Sequence, residues 1–176
     1  MDNFREEIVA KKNRGVNTAL YALATVMMVV FALIAAMMFS SLGAGINVQS
    51  IILLLVSAGI AFLLFWKRDN LRTEYEYSLT NGELDFARVL GNKKRKNLGS
   101  MTVKNVEAMG HVEHSSFKRY VTMPGVEKTN WFLNRDGNLF YFYYSKDGKK
   151  RIIVIEPTEQ LVAMFKFYAQ RGAFQG

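Results

Sequence analysis

The chain has 176 residues, half of them hydrophobic, with 23 Lys and Arg against 15 Asp and Glu for a formal charge of +8, and no cysteine. The lack of Cys excludes disulfides, thiolate nucleophiles and Cys-based zinc sites. The apolar residues are unevenly spread: 17–39 and 46–66 contain no Asp, Glu, Lys or Arg, and about 110 residues of mixed polarity follow, enough for one small domain.

In chain order, residues 1–16 form an N-terminal segment in which 2–14 read as a short amphipathic helix. Asn3 and Glu6 have capping-box spacing and Phe4 shares a face with Ile8. A frayed, solvated terminus is the alternative. Residues 17–66 read as a two-helix transmembrane hairpin, because a bilayer core about 30 Å thick takes roughly 20 apolar residues in a helix. A cleaved signal peptide is the rival reading, and length speaks against it, since its apolar region spans only about 7–15 residues and a second span follows soon after.

Arg5, Lys11, Lys12 and Arg14 precede the first span, Lys67, Arg68 and Arg72 follow the second, and the connection 40–45 is uncharged. By the positive-inside rule this predicts a multi-pass protein of the cell membrane with both termini and the soluble domain cytoplasmic. Ala32 and Ala36 in the first span, with Ser57 and Ala61 in the second, are small enough to let the helices approach closely. Neither span holds an ionisable side chain, so neither offers an ion or proton pathway.

Residues 67–176 read as the soluble domain. Alternation over 73–79, with Tyr75, Tyr77 and Leu79 on one face, ends in Asn81-Gly82, a type I′ hairpin signal. A second strand over 84–90 places Leu84, Phe86 and Val89 near the core, and after Gly91-Asn92 a third runs from 93 to about 101. Residues 103–110 read as a turn or short helix leading into a strand, and 111–128, with Pro124-Gly125, as a long loop holding at most one strand. A second three-stranded meander is predicted from 130–134, a hairpin turn at Asp136-Gly137, 139–145, a turn at Asp147-Gly148, and 151–155. Within 139–144, either Phe140, Phe142 and Tyr144 or Leu139, Tyr141 and Tyr143 fill the core. After Pro157 the spacing becomes helical, with Leu161, Met164, Phe165 and Tyr168 on one face, and 171–176 reads as a loose tail.

Two antiparallel β-meanders capped by a C-terminal α-helix is the element order of a pleckstrin-homology (PH) fold, a bent sandwich or partly open barrel. Together with the block from Glu74 to Asp85, the basic run after it, and Ile155-Glu156-Pro157 opening the last helix, this resembles small bacterial two-span membrane proteins of unknown function with a C-terminal PH-like domain. The fold class expected is therefore a membrane α-helical hairpin plus an α+β, PH-like soluble domain.

No catalytic pattern emerges. His111 and His114 flank Glu113 without the spacing of a zinc-binding His-Glu-x-x-His helix, Ser115 and Ser116 lack a nucleophile elbow, no phosphate-cradling glycine motif occurs, and Glu74 and Glu76 read as a solvated strand face. A non-enzyme without cofactor or metal is the expectation. From residue 67 onward 19 Lys and Arg stand against 12 Asp and Glu. The concentrations are Lys93, Lys94, Arg95 and Lys96 with Arg88 nearby, and Lys149, Lys150 and Arg151. These are the candidate contacts for anionic lipid head groups or a membrane protein partner. Plain solvation of a lysine-rich turn or edge strand is the competing account. Nucleic acid is disfavoured because aromatic residues do not interleave with the basic run. The function expected is a membrane-anchored binding module; the alternative is a non-catalytic accessory subunit of a larger membrane complex, with self-association left open.

Overall fold

A computed structural model of the full chain describes residues 4–45, 47–91 and 93–176. Asp2 and Asn3 of the predicted N-terminal helix, Ile46 at the start of the second apolar stretch, and Asn92 of the Gly91-Asn92 turn lie outside the described residues. The chain divides into two compact units: Asn13–Thr73 with Leu90–Lys93, and the chain up to Lys12 with Glu74–Val89 and Lys94–Gly176.

In the helical unit, α1 (Arg14–Ser41) and α2 (Val48–Lys67) pack on each other, joined through a 3-10 turn at Leu42–Ala44. Asn47 caps α2, its side-chain oxygen accepting from the Gln49 N–H at 2.9 Å. Among the described residues, α1 and the stretch Val48–Arg72 are the helices long and apolar enough to cross a membrane. Their covered seam follows alternate steps of three and four: Asn17, Tyr21, Ala24, Met28, Phe31, Ala35 and Met38 on α1, and Ser50, Leu54, Ser57, Ala61 and Leu64 on α2. Ser57 and Ala61 lie on that seam. Ala32 and Ala36 do not: both are exposed, because the seam passes through Ala35. The outward faces carry large apolar side chains, with Leu33, Leu55 and Phe62 each more than 60 % exposed.

The other unit holds two sheets. The first runs β1-β2-β3-β4, with β1 at Phe4–Ala10, β2 at Thr73–Thr80, β3 at Glu83–Leu90 and β4 at Lys94–Thr102. The N-terminal segment is thus a strand and not the predicted amphipathic helix. It pairs antiparallel with β2 from Phe4 opposite Thr80 to Ala10 opposite Glu74. An isolated helix of this length is marginal. The extended form instead satisfies its backbone on β2 and buries Glu7, whose carboxylate accepts from the Thr158 N–H at 3.0 Å, from the Thr158 hydroxyl and from Arg5 Nε. The unit that holds the sheets consequently begins before the helical hairpin, not at residue 67, and the hairpin is inserted between two paired strands.

The second sheet runs β6-β8-β7-β5-β9, with β5 at Ala108–His111, β6 at Glu127–Trp131, β7 at Phe140–Lys146, β8 at Lys149–Ile155 and β9 at Phe174–Gln175. Asn81-Gly82 and Asp147-Gly148 make the predicted hairpins, each with two residues at positive φ. Asp136-Gly137 does not: β6 lies parallel to β8 and is not adjacent to β7. Residues 132–139 instead wrap the Glu156 carboxylate, which accepts from the Asn134 N–H at 3.1 Å and from its side-chain amide. A Cβ at Gly137 would stand 2.5 Å from Glu156 Oε1, so glycine serves close approach here.

The region read as a long loop contains α3 (Ser115–Val121), and the tail is not loose. β9 pairs parallel with β5, and Gly110 admits it, since a Cβ there would lie 2.3 Å from the Gln175 carbonyl oxygen. The final helix, α4 (Glu159–Tyr168), is capped by Thr158 and buries Leu161, Val162 and Phe165. These pack with Tyr77, Leu79, Leu84, Phe86, Phe140, Phe142 and Tyr144 in the main core. Tyr141 and Tyr143 point to the other face of the sheet, where Tyr120 and Phe117 of α3 cover them. Val89 is buried as expected but stands outside the main core cluster.

Candidate functional site

The basic run lies on β4, an edge strand, and in the turn before it. Side chains of a strand alternate, so four consecutive cations cannot form one patch. Arg95 reaches over the sheet face to Glu76, Nε to Oε2 at 2.8 Å, and stands 3.9 Å from Glu6. Lys94 and Lys96 fall on the opposite side of the strand and are exposed, as is Lys93. These three ammonium groups have no carboxylate partner among the described residues. Arg88, on β3, is half-buried with its Nε enclosed, so it is withdrawn from that group.

The residues on either side of Asn92 are held by backbone hydrogen bonds. The Gly91 N–H donates to the Arg72 carbonyl at 3.0 Å, and Lys93 N–H closes on Leu90 O at 3.1 Å. Lys93 is thereby held beside the segment Arg68–Arg72 that leaves α2. In that segment Arg72 stacks on the Tyr21 ring at 4.0 Å, and Arg68 lies 5.7 Å from it while reaching Thr25 Oγ1 at 3.5 Å. In the sequence, Arg68 and Arg72 mark only the orientation of the second span. An aromatic residue, Tyr21, about two turns inside the basic start of α1 was the signal for this collar.

Each cation of the second basic concentration is paired. Lys149 Nζ lies 3.1 Å and Arg151 Nε 3.0 Å from Glu127, and Lys150 Nζ lies 2.8 Å from Glu107. The hydrogen bond from Lys149 holds the Glu127 carboxyl below its usual range, and the bond to Glu107 raises Lys150.

His111 Nδ1 pairs with Asn138 at 2.8 Å, and His114 Nδ1 with Ser116 Oγ at 2.7 Å. His114 is the residue capping α3, and Ser116 Oγ continues to the Tyr141 hydroxyl at 2.8 Å. The Tyr141 hydroxyl is pushed up by burial. The chain of bonds ends in a covered aromatic cluster, which is the geometry of a helix cap. Among the described residues no group of three or more His, Asp and Glu is placed to hold a metal ion.

No curated protein matches the chain, and no solved structure does. One family profile does match, over residues 1–175, so that it takes in β1, both apolar helices and the two sheets. The PH-like fold expected from element order agrees with that match, except that its first strand precedes the helices. The chain belongs to the family described as bacterial PH-like domain (DUF6106).

Proposed function

We propose that this protein is a membrane-anchored binding module in which α1 and α2 cross the bilayer and the PH-like domain docks on anionic head groups at the cytoplasmic face. Helices apolar on every side and covered only along a mutual seam need lipid around them. β1 and β2 flank the hairpin and pair with each other, so both ends of the hairpin emerge on one side, and the basic flanks make that side cytoplasmic. Three residues, Lys11, Lys12 and Asn13, separate β1 from α1, a reach of about 10 Å.

The observation that carries the lipid reading is the Gly91–Arg72 hydrogen bond, which places the unpaired cation Lys93 beside the end of α2 with Lys94 and Lys96 next in the chain. In nanodiscs containing head-group spin labels, the amide signals of 93–96 should broaden strongly with anionic lipid and little with zwitterionic lipid. Equal broadening in both would contradict head-group docking. For orientation, the cysteine-free chain allows single cysteines at Gly43 and Lys146, and an impermeant thiol reagent added outside intact cells should label the first and not the second.

A second reading, the accessory subunit, draws on Ala32 and Ala36, which face away from α2 and leave a small-residue stripe for another span. It predicts that Ala32→Ile with Ala36→Ile abolishes recovery of a co-purifying membrane protein while leaving head-group broadening intact.

A further inference from the structure

The two sheets leave a groove between their open edges, and it takes no part in the lipid reading. Its borders are β4 and β6, each an edge strand with one neighbour among the described residues. The cavity between them measures about 280 Å³. Its floor is aromatic: the half-buried Trp131 ring tilts against Phe86 at 4.6 Å between centroids. On the β4 side, Gly99 (φ 132°) has no side chain, and a Cβ built there meets nothing within 4 Å, so the strand is open in space there, although its N–H donates to Asn97 Oδ1 at 2.7 Å and an added strand must displace that side chain.

The charges at the mouth are unequal. Glu127 is shared by Lys149 and Arg151, whereas Lys146 is exposed and has no carboxylate partner among the described residues. An edge strand offers a row of backbone donors and acceptors that an added strand satisfies, with alternate side chains entering pockets beneath. A bare phosphate would meet the Glu127 carboxylate in the same wall and use neither the open backbone nor the aromatic floor.

We infer that this groove binds an extended peptide segment of a partner protein. The peptide pairs by its backbone with an edge strand, lays an apolar side chain on Trp131 and Phe86, and directs an acidic side chain to Lys146. The chemistry needed is alternation of apolar and acidic residues over about five positions, the length of β6.

The test uses the full chain in zwitterionic nanodiscs, where the head-group docking proposed above makes no contribution. With Trp66→Phe, Trp131 is the sole tryptophan and reports on the floor directly. The probes are a synthetic heptapeptide of alternating Val and Asp, the same peptide N-methylated at alternate amides, and an alternating Val and Lys peptide. The expected result is a saturable change in Trp131 emission with the acidic peptide alone, weakened at least tenfold by Lys146→Glu. No saturable change with the acidic peptide, or equal binding of the N-methylated or basic peptide, overturns the inference. So does a Trp131 response to Lys146→Glu equal to that of the parent. Head-group broadening at 93–96 is read on the same sample with anionic lipid, so failure of the groove and failure of the lipid reading are separate results.

Discussion

Lys93-Lys94-Arg95-Lys96 and Lys149-Lys150-Arg151 look alike in the sequence, yet the fold gives them opposite electrostatic roles. β8 lies inside its sheet, between β6 and β7, so its basic side chains find Glu127 and Glu107 on neighbouring chain segments. β4 lies at an edge, and only Arg95, on the face shared with Glu76 and Glu6, is matched. The lesson is that a run of charge acquires meaning from strand position. An interior strand pairs its cations with carboxylates of neighbouring segments, while an edge strand leaves most of them for solvent or for a surface beyond the protein.

The largest effect is expected from Lys93→Gln, Lys94→Gln and Lys96→Gln together. At about 1 kcal/mol per cation near an anionic leaflet, the head-group-docked population should fall up to ~100-fold, read from spin-label broadening. The equivalent change of Lys149 and Lys150 should shift it less than about twofold on the same scale. Reversing the comparison is the next test. Glu107→Gln with Glu127→Gln frees the β8 cations, and a roughly tenfold gain in anionic-lipid contact around 149–151 is expected.

Salt gives a smaller effect. Raising ionic strength from about 0.15 to 1 M shortens the Debye length from roughly 8 to 3 Å and should release 93–96 from the surface severalfold, without unfolding the domain. The smallest effect is a titration. The Glu127 carboxyl should titrate below its usual value because Lys149 bonds the charged form, and Lys149→Gln should move the midpoint upward, as followed by side-chain NMR. The sign follows from a folded-state pKa that is depressed. The pairing contributes above the unfolded-state pKa and is lost as pH falls through the lowered folded value.

Much of this architecture was legible where the signal is local. Uncharged apolar stretches, two Asn-Gly or Asp-Gly hairpins and the 3-4 spacing of α4 all depend on neighbours in the chain. What was missed depends on distant ones. β1 reads as a helix because Phe4 and Ile8 fit that spacing, while Glu7 finds its partner at Thr158, 151 residues away. Asp136-Gly137 carries a hairpin signal but is spent on enclosing Glu156. The aromatic alternation in β7 could not choose a face because both faces are covered, one by α4 and one by α3.

In the hairpin, pairs of small residues four apart suggested Ala32 and Ala36. The steps of three and four through Tyr21, Ala24, Met28, Phe31 and Ala35 define the seam. The basic cluster was legible as composition and not as availability, because its pairing depends on which strand lies next to it.

Amide hydrogen exchange of the full chain in anionic against zwitterionic nanodiscs reads both basic runs in one sample. Slower exchange over 93–97 in anionic lipid, with 149–151 unchanged, is the predicted result. Equal exchange over 93–97 in the two lipids, or protection of 149–151 instead, would contradict the claim that the edge strand faces the membrane surface.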